Sequence, residues 1–310
     1  MPETKLEKAV DILKRGGLVA VPTETVYGLA ADATNSKAVA RIFQAKKRPA
    51  FNPLICHVCD MAMAEKLVKI SPLAAKLMEV FWPGPITFVL PKVEQCTVSD
   101  LVSAGLNTLA VRMPDHSLTH ELIKKLDRPI AAPSANQSGK ISPTTATHVT
   151  EGLGSSVDMI LDGGDCIRGI ESTIITFDEG GVIILRPGSI TEDMLENACS
   201  AKARNFIASS DSTITAPGQL SSHYAPNAEV RLNATSKNPG DYLIGFGDIR
   251  GDTSLSETGD LIEAASNLFK SLREADKTGA KTIAIAPIPK HGIGIAINDR
   301  LDRAAAPRGV

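Results

Sequence analysis

"QAKKRPAFNPLICHV", residues 44–58, changes from one kind of secondary structure to another. Three cations, Lys46, Lys47 and Arg48, close what reads as a helix. A proline and an Asn-Pro step then break it, because proline lacks the N–H that continues a ladder and disfavours helix before it. PLICHV follows as an apolar strand. Cations at a helix C-terminus complement its dipole and need no other role. The same three charges would also suit an anion.

Working outward, the alternation repeats. Leu6, Val10 and Leu13 recur at helical spacing and stop at Gly16-Gly17, before the strand-like LVAV (18–21). Asn35-Ser36 caps a helix carrying Val39, Ile42 and Phe43. A helix from about Pro72 to Phe81 stops at Trp82-Pro83-Gly84-Pro85, and ITFVL follows. TLAVRM (108–113), PIAA (129–132), STIITF (172–177) and VIILR (182–186) are further apolar runs, with helical SLTHELIKKL (117–126) and TEDMLENA (191–198) between them. No internal repeat is present. Helices alternating with strands over this length define an α/β domain.

Composition shifts near Ile207. "ASSDSTITAPGQLSSHYAPNAE" is polar, Ser/Thr-rich and broken by prolines, so residues 208–228 read as a linker. EVRL, DYLIGFG, a helix over LIEAASNLFKSLREA, KTIAIAPI and a helix over AINDRLDRAAA then make a smaller α/β, Rossmann-like unit. The expected domains are 1–207 and 229–310.

The 310 residues are 43% apolar and 22% charged, with net charge −2. That balance disfavours a protein holding nucleic acid by general phosphate neutralisation. Aromatics at 4% disfavour a base-stacking strand binder. No secretory signal is evident, and no run approaches the ~18 apolar residues of a membrane span. The five scattered cysteines fit a reducing cytosol. A cytoplasmic protein without membrane contact is expected.

Four strands run into small polar clusters: Thr23-Glu24-Thr25, Arg112-Met-Pro-Asp115, Ser134-Ala-Asn136 and Arg186-Pro-Gly188. Any one of them could be a capped turn. In α/β sheets, however, ligands sit outside the carboxyl ends of strands. Lys46, Arg48, Arg112 and Arg186 around one cleft, with Thr25, Ser134 and Asn136 as neutral donors, would suit a polyphosphate beside a small carboxylate. There is no P-loop and no strong nucleophile–base pair. "GFGDIRG" (245–251) lacks dinucleotide-motif spacing and reads as a turn. Cys56-His57-Val58-Cys59 lacks a second pair for zinc, so its cysteines read as core. His116 and His120 are four apart on a helix but lack the zincin glutamate. Ser134 lacks the hydrolase elbow. His148 and His291 read as surface residues.

"PTETVYGLAADA", "KKRP…NPL", "WPGPIT", "AVRMPDH", "PIAAPSANQSGKISPT", "GIESTII" and "ILRPGSI" occur in this order from Pro22 to Ile190. This series resembles the YrdC-like family of L-threonylcarbamoyladenylate synthases. "SSHYAP" (221–226) and a second domain ending in "NDRLDRAA" are similar to its long two-domain form. The resemblance implies a twisted open mixed sheet with a concave basic face. It also implies a reaction in which ATP, L-threonine and bicarbonate give threonylcarbamoyl-AMP and pyrophosphate. The carbamoyl group would pass to the N6 of adenosine 37 in tRNAs reading ANN codons, through the threonylcarbamoyl transferase machinery downstream. Magnesium would come with ATP. Lys46 and Arg48 would face the phosphates, with Ser134 and Asn136 completing the catalytic set. Asn52, Thr108, Ser142, Arg186 and Tyr224 would also bind nucleotide. Thr25, His57, Arg112, Ala132 and Ser172 would bind threonine. The linker would fold over the cleft and shield a hydrolysable adenylate. Two other readings remain: an RNA-binding factor without catalysis, and a maturation factor using carbamoyl phosphate.

Overall fold

The computed structural model describes residues 4–206, 216–218 and 222–307. Residues 208–215 and 219–221 of the expected linker lie outside the described residues. Two sheets form. The first has β1 Val19–Val21, β2 Gly28–Asp32, β3 Ile55–His57, β4 Ile86–Pro91 and β5 Thr108–Arg112. It continues with β6 Ile130–Ala131, β7 Met159–Ile160, β8 Thr173–Asp178, β9 Gly181–Arg186 and β10 Ala203–Asn205. Their order is β10-β9-β8-β4-β5-β3-β6-β2-β1-β7, with parallel and antiparallel pairs mixed. The second sheet contains β11 Glu229–Arg231, β12 Asp241–Gly245, β13 Thr253–Ser254 and β14 Thr282–Ile285 in the order β11-β14-β12-β13. All its pairs are parallel.

Strand side chains alternate between faces, and this alternation creates the site. On one face, Cys56, Phe88, Val111 and Ala131 pack under helices Ser36–Lys46, Pro72–Phe81 and Glu192–Cys199, through Val39, Ile42, Leu77, Met78 and Leu195. On the other, helices Lys5–Lys14 and Ser117–Leu126 cover the β6-β2-β1-β7 end of the sheet, with Val10, Leu13, Leu122 and Ile123 against Val19, Val21, Ala30 and Ile130. Beyond them that face carries Ile55 and His57 of β3 and Ala110 and Arg112 of β5. Among the described residues, a small apolar cluster that includes Ala216 of the linker lies there.

The second sheet packs Ile244, Ile283 and Ile285 under helices Leu261–Lys277 and Gly294–Ala305, through Leu268, Phe269, Ile297 and Leu301. The same cluster includes Val26, Ile141, Ile170 and Tyr224, so the two units share apolar surface. At Gly169 (φ +70°) an added Cβ would lie 2.3–2.6 Å from backbone atoms of Ala265 and Ser266. Glycine is required there both by its left-handed backbone and by the close approach of the second unit.

Candidate active site

The uncovered part of the face becomes one cavity of about 50 Å³. Arg48, His57, Arg112, Ser134, Ser172 and Arg186 line it, with Thr25, Ala132 and Glu171. Pro217, Gly218, His223 and Tyr224 of the linker close it. Gly218 (φ +86°) passes so near Arg186 that an added Cβ would lie 2.8 Å from its Cδ. Four polar clusters far apart in sequence therefore meet because their strands end at one edge, as the topology of an open α/β sheet allows.

Each arginine is aimed by oxygen acceptors. Arg48 donates from Nε to Asn52 O (3.1 Å) and from Nη2 to Asn52 Oδ1 (2.7 Å) and Pro53 O (2.8 Å). The Asn-Pro break after the helix thus holds the guanidinium that the helix end carries. Arg112 donates from Nη2 to Glu24 Oε1 at 2.6 Å and from Nε to Gly84 O. Both members of this ion pair are buried. Arg186 donates from Nε and Nη2 to Ser172 O, and from Nη2 to Ser172 Oγ. Ser172 Oγ in turn lies 2.8 Å from Thr87 Oγ1. Nη1 of Arg48 and of Arg112 has no partner among the described residues, which leaves donors for an oxyanion.

Lys46 does not line the cavity. Its side chain is buried behind the cavity wall, and Nζ donates to the carbonyls of Ser134 and Asn136. The reason is local. The helix ends on Lys47 in the left-handed conformation, which turns the chain and leaves Lys46 facing the Ser134–Asn136 loop. Asn136 also points away from the cavity. Its Nδ2 donates to Gln137 O and Lys140 O, and its Oδ1 is a buried acceptor without a partner among the described residues.

Burial, then the charge of Arg48, hold Lys46 well below the usual lysine value, and Glu171 pulls it back upward. Burial draws Arg48 down to about 10, so it stays charged at neutral pH. Burial and then Arg112 push His57 from 6.5 down to about 3. His57 is therefore neutral throughout the physiological range. At pH 5 the unfolded chain protonates this residue and the folded chain does not. Its contribution to stability is present above about pH 6.5 and is lost as pH falls toward 3. Unfolding free energy is expected to fall between pH 7 and 5. His57→Gln should flatten that slope by up to about 1.4 kcal/mol per pH unit. Identical slopes in denaturant titrations of the two proteins would count against it.

Of the other expected site residues, Ser142 is buried and donates to Glu171 Oε1 rather than lining the cavity. Asn52 is buried behind Arg48, and its Nδ2 has no partner among the described residues. Thr108 opens the strand that Arg112 ends. It shares the Arg112 face but does not line the cavity. Tyr224 both lines the cavity and is anchored, stacked on Phe269 with centroids 5.5 Å apart. His148 is half-buried rather than on the surface, because Thr144 caps its ring: Thr144 N donates to its Nδ1. Cys56 and Cys59 are buried and free, and His116 is the N-cap of its helix. Sequence reasoning assigned no site role to Glu24, Glu171 or His223. A signal existed for the acids, since a buried arginine needs a carboxylate and both acids lie inside the quoted motifs.

Fold and site together define an α/β protein that can hold an oxyanion beside a carboxylate. A family model described as "Telomere recombination" (Sua5, YciO, YrdC) matches residues 11–188. One described as "Threonylcarbamoyl-AMP synthase, C-terminal domain" matches residues 190–306. A threonylcarbamoyl-AMP synthase of Pyrococcus abyssi is 41% identical over 99% of this chain and 95% of its own. One of Bacillus subtilis is 36% identical over 99% and 94%. A crystal structure of P. abyssi Sua5 with L-threonine superposes with TM-score 0.89 at 40% identity, covering 98% of this chain and 95% of that one. The chain belongs to the Sua5/YrdC family of threonylcarbamoyl-AMP synthases, in the two-domain form. Among the described residues, no helix is long and apolar enough to cross a membrane.

Proposed function

We propose that the chain makes threonylcarbamoyl-AMP and pyrophosphate from ATP, L-threonine and bicarbonate. The observation that carries this reading is the convergence of Arg48, Arg112 and Arg186 on one cavity with Thr25, His57, Ser134 and Ser172. Arg112 takes the threonine carboxylate, with Thr25, His57, Ala132 and Ser172 around the rest of the amino acid. Arg48, Ser134 and Arg186 take the nucleotide, supported by Asn52, Ser142 and Tyr224. Thr108 lies further along the same face and would meet the nucleotide there. Bicarbonate takes up a proton and loses water to give CO2, and the threonine amine adds to it and loses a proton, giving a carbamate. A carbamate oxygen then bonds to the α-phosphorus as the bond to the β-phosphate bridging oxygen breaks. No enzyme nucleophile is needed, so catalysis is positioning and charge stabilisation.

Glu171 in the cavity lining and Glu24 beside Arg112 are both committed to arginines. They leave no cage for magnesium, which would enter on the phosphates of ATP. A cavity of about 50 Å³ is also smaller than the ~300–1,000 Å³ of ligand pockets, so the Tyr224 segment would move outward to admit ATP. The product would pass to the tRNA-modifying transferase in the cytoplasm, for adenosine 37 of tRNAs reading ANN codons. Pyrophosphate release is expected only with ATP, L-threonine and bicarbonate together. Release that ignores threonine but follows carbamoyl phosphate would point to the maturation-factor reading. RNA affinity with a steep salt slope and no release would point to the binding-factor reading.

A further inference from the structure

Helix Gly294–Ala305 of the second unit buries Arg300 completely, at 0% exposure. Its Nε donates to Glu171 Oε2 at 3.1 Å. Its Nη1 donates to Pro187 O at 2.6 Å and to Asp299 Oδ2 at 2.9 Å. Its guanidinium carbon lies 5.5 Å from the centroid of the Tyr224 ring. Each of these neighbours except Asp299 adjoins the cavity or lines it. Glu171 precedes Ser172 and accepts from Ser142 with its other oxygen. Pro187 follows Arg186. Tyr224 closes the cavity over Arg48 and Arg186.

Contacts other than those of Arg300 also join the two units. Lys277 pairs with Glu151 at 2.7 Å, and Arg273 donates to Ile141 O. Gly169 packs against the Ser266 backbone, and the shared apolar cluster spans the junction. A fully buried guanidinium is also a poor device for stability alone, since desolvation cancels much of the Coulomb gain. Its Nη2 is moreover a buried donor with no partner among the described residues. A group kept under these conditions calls for another explanation.

Charge supplies one. Glu171 is a carboxylate in the wall of a cavity read as a polyphosphate site. Unbalanced, it would repel the nucleotide at short range through a medium of low effective dielectric. We propose that Arg300 is a positioning residue of the reaction: it neutralises Glu171 from behind and fixes Tyr224, so that the second unit sets the affinity of the nucleotide end of the site. This rests on the nucleotide reading given above. Arg300 touches no substrate in this account.

The test is pyrophosphate release by the full chain, titrated separately in ATP and in L-threonine, with thermal melts alongside. Arg300→Met is expected to raise KM for ATP at least tenfold while KM for threonine moves less than threefold. Arg300→Lys keeps the charge and loses the fork, and should fall between Arg300→Met and the parent. Arg300→Met/Glu171→Gln removes the repelling charge and should recover most of the lost ATP affinity. If Arg300→Met does not fold, the lysine variant and the double variant decide. The proposal is overturned if KM for ATP stays within twofold in the folded variants. It is equally overturned if both KM values rise together, or if the double variant is no better than the single one. Absence of release by the parent chain would instead overturn the reaction assigned to the cavity.

Discussion

Arg112→Ala is expected to lower threonine-dependent pyrophosphate release about a thousandfold and to destabilise the fold by about 3–5 kcal/mol. The two effects have different origins. Arg112 and Glu24 are 4% and 2% exposed at their side chains, so removing the guanidinium strands a buried carboxylate. Glu24 Oε2 would keep its bond from Asp115 N, which is too little to balance the charge. That accounts for the stability loss. The activity loss follows from the proposed role of Arg112: it lines the cavity, and its Nη1 has no partner among the described residues and would be available to a ligand carboxylate. Losing about 4 kcal/mol of such contact corresponds to about three decades in kcat/KM. Arg112→Met/Glu24→Gln separates the two effects, because it removes both charges and leaves the volume filled. Denaturant unfolding of this double variant should return near the parent value while its threonine dependence stays lost. Should it regain both, Arg112 would be a structural pair to Glu24 and not the threonine carboxylate site.

The first domain was legible where one face of an element is buried. Pro72–Phe81 and Ser117–Leu126 begin and end where their spacing and breakers put them, and the apolar runs 108–113 and 182–186 became β5 and β9. Short or small-residue elements were passed over. Gly28–Asp32, GLAAD, has alanines and a glycine where a strand usually has β-branched residues, yet it is central between β6 and β1. Met159–Ile160 and Thr253–Ser254 have only two residues each, too few for any period. At the site, residue types were readable and partners were not. Spacing identifies Arg112 as a cation at a strand end. Only folding shows that Glu24, 88 residues earlier, is spent on it. Arg300 falls on the buried stripe of its helix with Ile297, Leu301 and Ala304, but its pairing with Glu171 across 129 residues is a tertiary fact.

Lys46→Met carries the second large effect, and it tests whether Lys46 acts on the nucleotide directly or through the loop it holds. Nζ donates to two carbonyls, those of Ser134 and Asn136. Methionine fills the space and removes a desolvated charge, which offsets part of the loss. Ser134 O keeps its bond from Asn136 N, whereas Asn136 O loses its lysine donor at about 1–3 kcal/mol, so a net destabilisation of about 1–3 kcal/mol is expected. The larger consequence is positional. Ser134 lines the cavity while its carbonyl is the Lys46 partner, so rotation of that peptide moves the hydroxyl. A displacement near 1 Å at a reacting centre costs about a hundredfold, and loss of the nearby cation adds to it. Pyrophosphate release should therefore fall at least a hundredfold. Action through the loop also makes the effects of Lys46→Met and Ser134→Ala overlap. The double variant should then be little slower than Lys46→Met alone, because contacts that act as a unit are not additive. Full additivity, together with unchanged unfolding free energy in Lys46→Met, would instead mean that Lys46 turns toward the phosphates when ATP binds. The role of the loop would then belong to Ser134 alone.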